Sequence, residues 1–201
     1  KAHDINPVIG IEAYLAPGSR KDKTRVRWGD GGGDDVSGGG AYSHLTMWAT
    51  NNDSMQNLFR LSSEAYLSGY YFKPRMDREL LSKFGKGLIA TTGCPGGEVQ
   101  TRLRLGQYQE ALDTAAEFRD IFGEGNYFVE VMDHGLEIEK RVRDDLLRLA
   151  KDLQLPLVAT NDLHYTEKED SVAHDALLCV QVGSNLDDPN RFKFQSEEYY
   201  L

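Results

Sequence analysis

Apolar positions fall into two patterns along this chain. One is a set of short apolar runs that end on polar turns: Pro7–Ala16, Gly87–Thr92, Tyr127–Val131 and Leu157–Thr160. These are predicted strands. Tyr42–Ala49 alternates, with Tyr42, His44, Thr46 and Trp48 on one side and Ser43, Leu45, Met47 and Ala49 on the other. It also reads as a strand, with helix as the competitor because the run is short. The second pattern has helical spacing. Met55, Leu58, Phe59, Ala65 and Tyr66 give a helix from an Asp53 cap to about Leu67. Asp77 caps a short helix that stops near Gly85–Gly87, and Glu98–Leu105 and Gln107–Phe122 are two more. The strongest helix is Leu136–Leu153, with the stripe Ile138, Val142, Leu146, Leu149 and Leu153. Its Glu137–Arg141 and Glu139–Arg143 spacings suit surface ion pairs. A last helix spans about Lys168–Val182 and carries His174, placed at the surface, and Cys179, placed in the core.

Strands alternating with helices predict an α/β fold with mostly parallel strands. In closed barrels of this class, functional groups gather at the C-terminal strand ends. The polar residues at those ends therefore carry the candidate chemistry. Leu157–Thr160 is followed by Asp162 and His164, a carboxylate and an imidazole two residues apart, both good ligands for a divalent metal. Pro7–Glu12 ends on Glu12, and Leu88–Cys94 ends on Cys94 in a glycine-rich turn, where a thiol is poor packing filler. His44 points inward or sits as a hydrogen-bonded core residue. His134, after Tyr127–Val131, is a candidate of lower rank, suited to supporting a turn. Glu12, His44, Cys94, Asp162 and His164 make a mixed O/N/S donor set that suits Zn²⁺, and also Mn²⁺ or Fe²⁺.

Composition narrows the classes. The 201 residues suffice for one sizeable domain. A net charge of −9 argues against a broad nucleic-acid-gripping face, though not against a small site acting on a strand held elsewhere. Two cysteines, Cys94 and Cys179, are too few for a disulfide framework and point to a reducing cytoplasm. No run approaches a membrane span. Pro17–Asp35 is a loop, first basic (Arg20, Lys21, Lys23, Arg25, Arg27) and then Gly/Asp-rich, without a phosphate-loop motif. The basic part reads as solvated or as a local phosphate contact. The chain opens on Lys1 beside a strand, which suggests a piece of something longer.

The motifs carry a resemblance. P-V-I-G-I-E-A-Y at 7–14, S-H-L-T at 43–46, N-L-F-R-L-S-S at 57–63, K-P-R-M-D at 73–77, T-T-G-C-P-G-G-E-V-Q-T-R-L at 91–103, D-H-G-L at 133–136, A-T-N-D-L-H-Y at 159–165 and D-P-N-R-F-K-F at 188–194 stand in the order and spacing of a known family. The chain resembles the PHP (polymerase and histidinol phosphatase) domain of bacterial replicative DNA polymerase III alpha subunits, in its actinobacterial form. The resemblance implies a distorted seven-stranded β/α barrel entered at about its third strand. It implies a PHP domain over 1–186, with 187–201 as a connector toward polymerase domains. It also implies a cluster of up to three metal ions, chiefly zinc, held by nine ligands. Five of those match Glu12, His44, Cys94, Asp162 and His164. The remaining four, including an H-x-H, would lie about 50–70 residues' worth of chain upstream. The implied activity is a 3′–5′ proofreading exonuclease within a DNA-directed DNA polymerase, with the piece alone inactive. The implied partners are the primer 3′ end, the other polymerase domains and replisome subunits such as the sliding clamp, and no membrane. The alternative is a non-catalytic PHP domain that braces the polymerase.

Overall fold

A computed structural model describes residues 3–29 and 36–201. Six strands form one sheet: β1 (Gly10–Leu15), β2 (Ser43–Ala49), β3 (Arg75–Met76), β4 (Leu88–Thr91), β5 (Tyr127–Val131) and β6 (Leu157–Ala159). Their order is β3-β1-β2-β4-β5-β6. Five strands run parallel. β2 alone is antiparallel, to β1 on one side and β4 on the other. The α/β class with a mostly parallel sheet holds, consistent with part of a PHP-type barrel. The exception matters: β2 enters the site edge at its beginning, where His44 stands, while its neighbours reach that edge at their ends.

Among the described residues six α-helices accompany the strands: α1 (Asn52–Ser68), α2 (Arg78–Phe84), α3 (Glu98–Arg104), α4 (Tyr108–Phe122), α5 (Glu137–Asp152) and α6 (Ser171–Val182). The alternation in β2 is realised. Ser43, Leu45 and Met47 are buried, while His44, Thr46 and Trp48 are half-buried on the opposite face. The buried face joins Leu58 and Leu61 of α1, Phe118 and Phe122 of α4, and Val142, Leu146 and Leu149 of α5 in one core. Full burial of each large apolar side chain is worth roughly 1.5–3 kcal/mol. The α5 stripe therefore fixes that helix on the sheet. The other face carries Trp48, Ile89, Phe128 and Val158, which line an apolar groove with Val8.

Several local expectations are corrected. The α1 cap is Asn51, whose side chain accepts from Ser54 N while Ser54 Oγ takes the Asn51 amide; Asp53 lies inside the first turn. Strand β1 begins only at Gly10, so Glu12 is its third residue of six and not in its C-terminal half. Strand β6 is not buried. It stands at the sheet edge with Leu157 half exposed. Glu139 does not take Arg143; it turns to His134, and Arg143 pairs with Asp133 at 3.1 Å.

Lys73-Pro74-Arg75, expected as loop, supplies β3. Arg75 and Met76 pair in parallel with Tyr14 and Leu15. Arg75 is wholly buried and donates to four carbonyls: Gly69, Ala41, Arg20 and Asp22, at 2.9–3.1 Å. A guanidinium presents five donors in a fixed fork, so one side chain can satisfy backbone acceptors from three segments. Beside it, buried Arg20 binds Asp77, the α2 cap, at 3.0 Å.

Candidate metal centre

Glu12, His44 and Cys94 converge. His44 Nδ1 lies 2.9 Å from Glu12 Oε1 and 3.4 Å from Cys94 Sγ, and the thiol is 3.7 Å from the same carboxylate oxygen. The three donor atoms all lie within 4.8 Å of one another. Register explains the first pair. Glu12 faces Thr46 and Tyr14 faces His44, so Glu12 and His44 are diagonal neighbours on one face of an antiparallel pair.

The turn after β4 brings in the thiol. Gly93 adopts φ +77°, a left-handed conformation in which most side chains are strained. Gly96 lies under the imidazole, where a Cβ would come within 2.8 Å of His44 Nδ1. The turn is tied down by Gln100 Nε2 donating to Gly93 O and Arg104 Nη1 donating to Pro95 O, both at 2.6 Å. His44 N–H closes it by donating to Gly96 O at 3.0 Å.

Asp162 and His164 stand on the turn after β6, near enough to act electrostatically on Glu12 and Cys94. They pair with each other at 3.6 Å and join the triad only through longer-range electrostatics. The His44 hydrogen bond holds the Glu12 carboxyl below its ordinary range, against the effect of burial, and the positive side of His164 adds to this. Burial pushes the Cys94 thiol well up, and the Asp162 and Glu12 carboxylates add to that. A thiol among carboxylates becomes a thiolate only when a cation is present to offset the charge. Oxygen, nitrogen and sulfur donors so placed fit a soft or borderline divalent ion such as zinc.

His134 supports the Asp162 turn. Its Nδ1 is bound to Glu139, and its Nε2 lies 2.8 Å from Asn161 O. Burial alone would push this imidazolium down; the Glu139 and Asn161 contacts outweigh it and the net direction is up. With both ring nitrogens occupied, His134 offers no donor to a metal. The ring stacks on Tyr199 at 4.1 Å, and Tyr199 O accepts from His164 N at 2.9 Å. Asn161 Nδ2 donates to Glu198 O at 2.8 Å, so residues 198–200 lie back along the ligand turn. His174, expected at the surface, is half-buried 5.4 Å from the His164 ring, and Cys179 is buried as expected.

One residue escaped the sequence reading. Glu130 is buried on β5, where its carboxylate accepts from Thr91 and Thr160 and its backbone N–H donates to Thr92. It ties together the ends of β4, β5 and β6, from which Cys94 and Asp162 emerge. The sole signal was an acidic residue inside an apolar strand, Y-F-V-E-V.

Cys94 gives a direct check. Iodoacetamide should label it faster after chelation than in the metal-loaded protein, where ligation blocks the sulfur, even though burial and the raised thiol slow the metal-free reaction. Buried Cys179 should label slowly in both states. Equal Cys94 labelling with and without chelator would count against ligation.

Comparisons with known proteins show the family. The PHP domain family model matches residues 1–134. DNA polymerase III subunit alpha of Saccharopolyspora erythraea is 56% identical over all of this chain, which covers 18% of that protein. The Mycobacterium tuberculosis subunit is 57% identical over 98% of the chain, covering 17% of its length. That of Thermus aquaticus is 43% identical over the whole chain. The chain thus spans less than a fifth of the curated relatives it matches. It belongs to the PHP domain family, in the form found within DNA polymerase III alpha subunits.

Proposed function

We propose that this PHP domain serves a DNA-directed DNA polymerase, acting there as a metal-dependent 3′–5′ exonuclease on a mispaired primer end. The observation that carries this is the convergence of Glu12, His44 and Cys94 within 4.8 Å, with Asp162 and His164 paired on a nearby turn whose charges reach Cys94 and Glu12. On this reading the PHP domain covers 1–186, and 187–201 leads toward the other polymerase domains. Those domains grip the duplex, which suits the acidic balance here. Sliding clamp and other replisome subunits would be met through the whole protein, in the cytoplasm. Among the described residues no helix is long and apolar enough to cross a membrane.

Glu12, His44 and Cys94 would hold one divalent ion, and Asp162 with His164 would supply further donors. Such ions polarise a phosphoryl oxygen and acidify a nearby water. The chain's own part is positional. Glu12 is ionised at neutral pH. Gly96 leaves room for the His44 ring. Glu130 fixes the distance between the Cys94 and Asp162 turns.

A second reading, a non-catalytic domain that braces the polymerase, draws on one observation: Asp162 and His164 pair with each other and not with the triad. Excision of a mismatched primer terminus by the full-length protein separates the two. The exonuclease reading expects excision to disappear on chelation and to return with zinc or manganese. Excision that is absent throughout, or that survives chelation, overturns it.

A further inference from the structure

Next to the triad runs a strip of rings and cations that the metal site does not use. The Tyr14 ring lies 5.5 Å from His44, and Tyr42 stacks parallel to His44 at 6.1 Å. Lys73 Nζ sits 5.4 Å over Tyr14. Phe72 precedes Lys73 and touches Tyr71 at 4.5 Å, and the Arg25 guanidinium lies 4.9 Å over Phe72. The strip thus leads without a break from a metal ligand to the basic loop.

Two features single out Phe72. It is 55% exposed, a poor place for a large apolar ring. Its φ is +60°, at the tip of a turn closed by Tyr71 N donating to Lys73 O. A bulky residue in that region is a true outlier, and such strain concentrates at functional positions. The Tyr71 and Arg25 contacts cover only part of the ring and leave over half of the residue exposed. In a chain of net charge −9, Lys21, Lys23, Arg25 and Arg27 are exposed together and make no ion pair among the described residues.

We infer that this strip, centred on Phe72 and Lys73, binds the single-stranded 3′ end of DNA. Phe72 and Tyr14 stack bases, and Lys73 and Arg25 meet phosphates. Aromatic faces interleaved with cations are how single strands are held without sequence preference. The inference rests on the exonuclease reading for the identity of the occupant; the ring and charge geometry stands apart from it.

The test uses metal-free full-length polymerase and an oligothymidine carrying 5-iodouracil next to its 3′ end. Ultraviolet cross-linking followed by peptide mapping should place the adduct on Tyr71–Lys73 or Tyr14. Phe72→Asn should weaken binding of that oligonucleotide by about tenfold. Asn suits a left-handed backbone better than Phe, so an unchanged or raised Tm would separate lost stacking from lost folding. Lys73→Gln should flatten the logarithmic salt dependence of binding, its slope falling by about 0.7 for each phosphate no longer neutralised. Adducts confined to other parts of the polymerase, with both variants binding within twofold of the parent, overturn the inference. Adducts on the strip in a protein without excision would uphold the binding surface and remove the exonuclease reading. Excision with an unlabelled strip would do the reverse.

Discussion

Asp162→Asn, or His164→Ala, in the full-length polymerase is expected to lower excision of a mismatched primer terminus by at least about a hundredfold. Metal assistance at a phosphoryl group is worth several kcal/mol, and every 1.36 kcal/mol is tenfold in rate. The two residues stand together on one turn, and neither lies in the core. The turn itself is held by His134, Asn161 and Tyr199, none of which changes in these variants. Folding and polymerisation should therefore persist while excision falls. Single-nucleotide excision from a mismatched primer, followed beside primer extension, is the measurement. Variants that trim at the parent rate would remove Asp162 and His164 from the site.

The second large effect is structural. Arg75→Ala should destabilise the domain by roughly 3–5 kcal/mol, since buried acceptors left unpaired cost about 1–3 kcal/mol each and the emptied volume adds to this. The side chain is fully buried and its four acceptors are backbone carbonyls, of which those of Ala41 and Arg20 belong to buried residues. Burial pulls the guanidinium down from its ordinary pKa, yet arginine remains charged at any working pH. Arg75→Lys should recover only part of the loss, since one ammonium cannot span acceptors from three segments. Urea unfolding followed by the buried Trp28 reads the effect. An unchanged midpoint in Arg75→Ala would mean the four hydrogen bonds contribute nothing.

Arg75 also marks a limit of sequence reading. A charged residue after Lys-Pro has the signature of a loop, and a two-residue strand is too short to show alternation. Its burial depends on carbonyls 6 to 55 positions away. The long helix α5 and the alternation of β2 were legible because each repeats one face many times. The D-x-H turn and the Cys94 turn were legible because ligand types stood where apolar runs stop. What could not be read was direction. Nothing local in Ser43–Ala49 says that it runs against its neighbours, so Glu12 meeting His44 diagonally across two strands emerged only from the register. The cap at Asn51 was missed for a smaller reason: Asn51, Asn52 and Asp53 are all capping types in a row, and the choice turns on the backbone angles of one residue.

The reversal of β2 has a practical consequence for engineering. Strands β1 and β2 are neighbours in an antiparallel pair, so the chain from Ala16 to Tyr42 leaves and returns at the same edge. Six paired positions, Gly10–Trp48 through Leu15–Ser43, set where Glu12 and His44 stand, whatever the length of the connection. Loop-closure entropy grows only by about 0.6 kcal/mol for each doubling. Added length in that connection therefore costs the pairing of β1 and β2 little. A peptide tag or a small folded reporter inserted in the connection would leave the Glu12–His44 register alone.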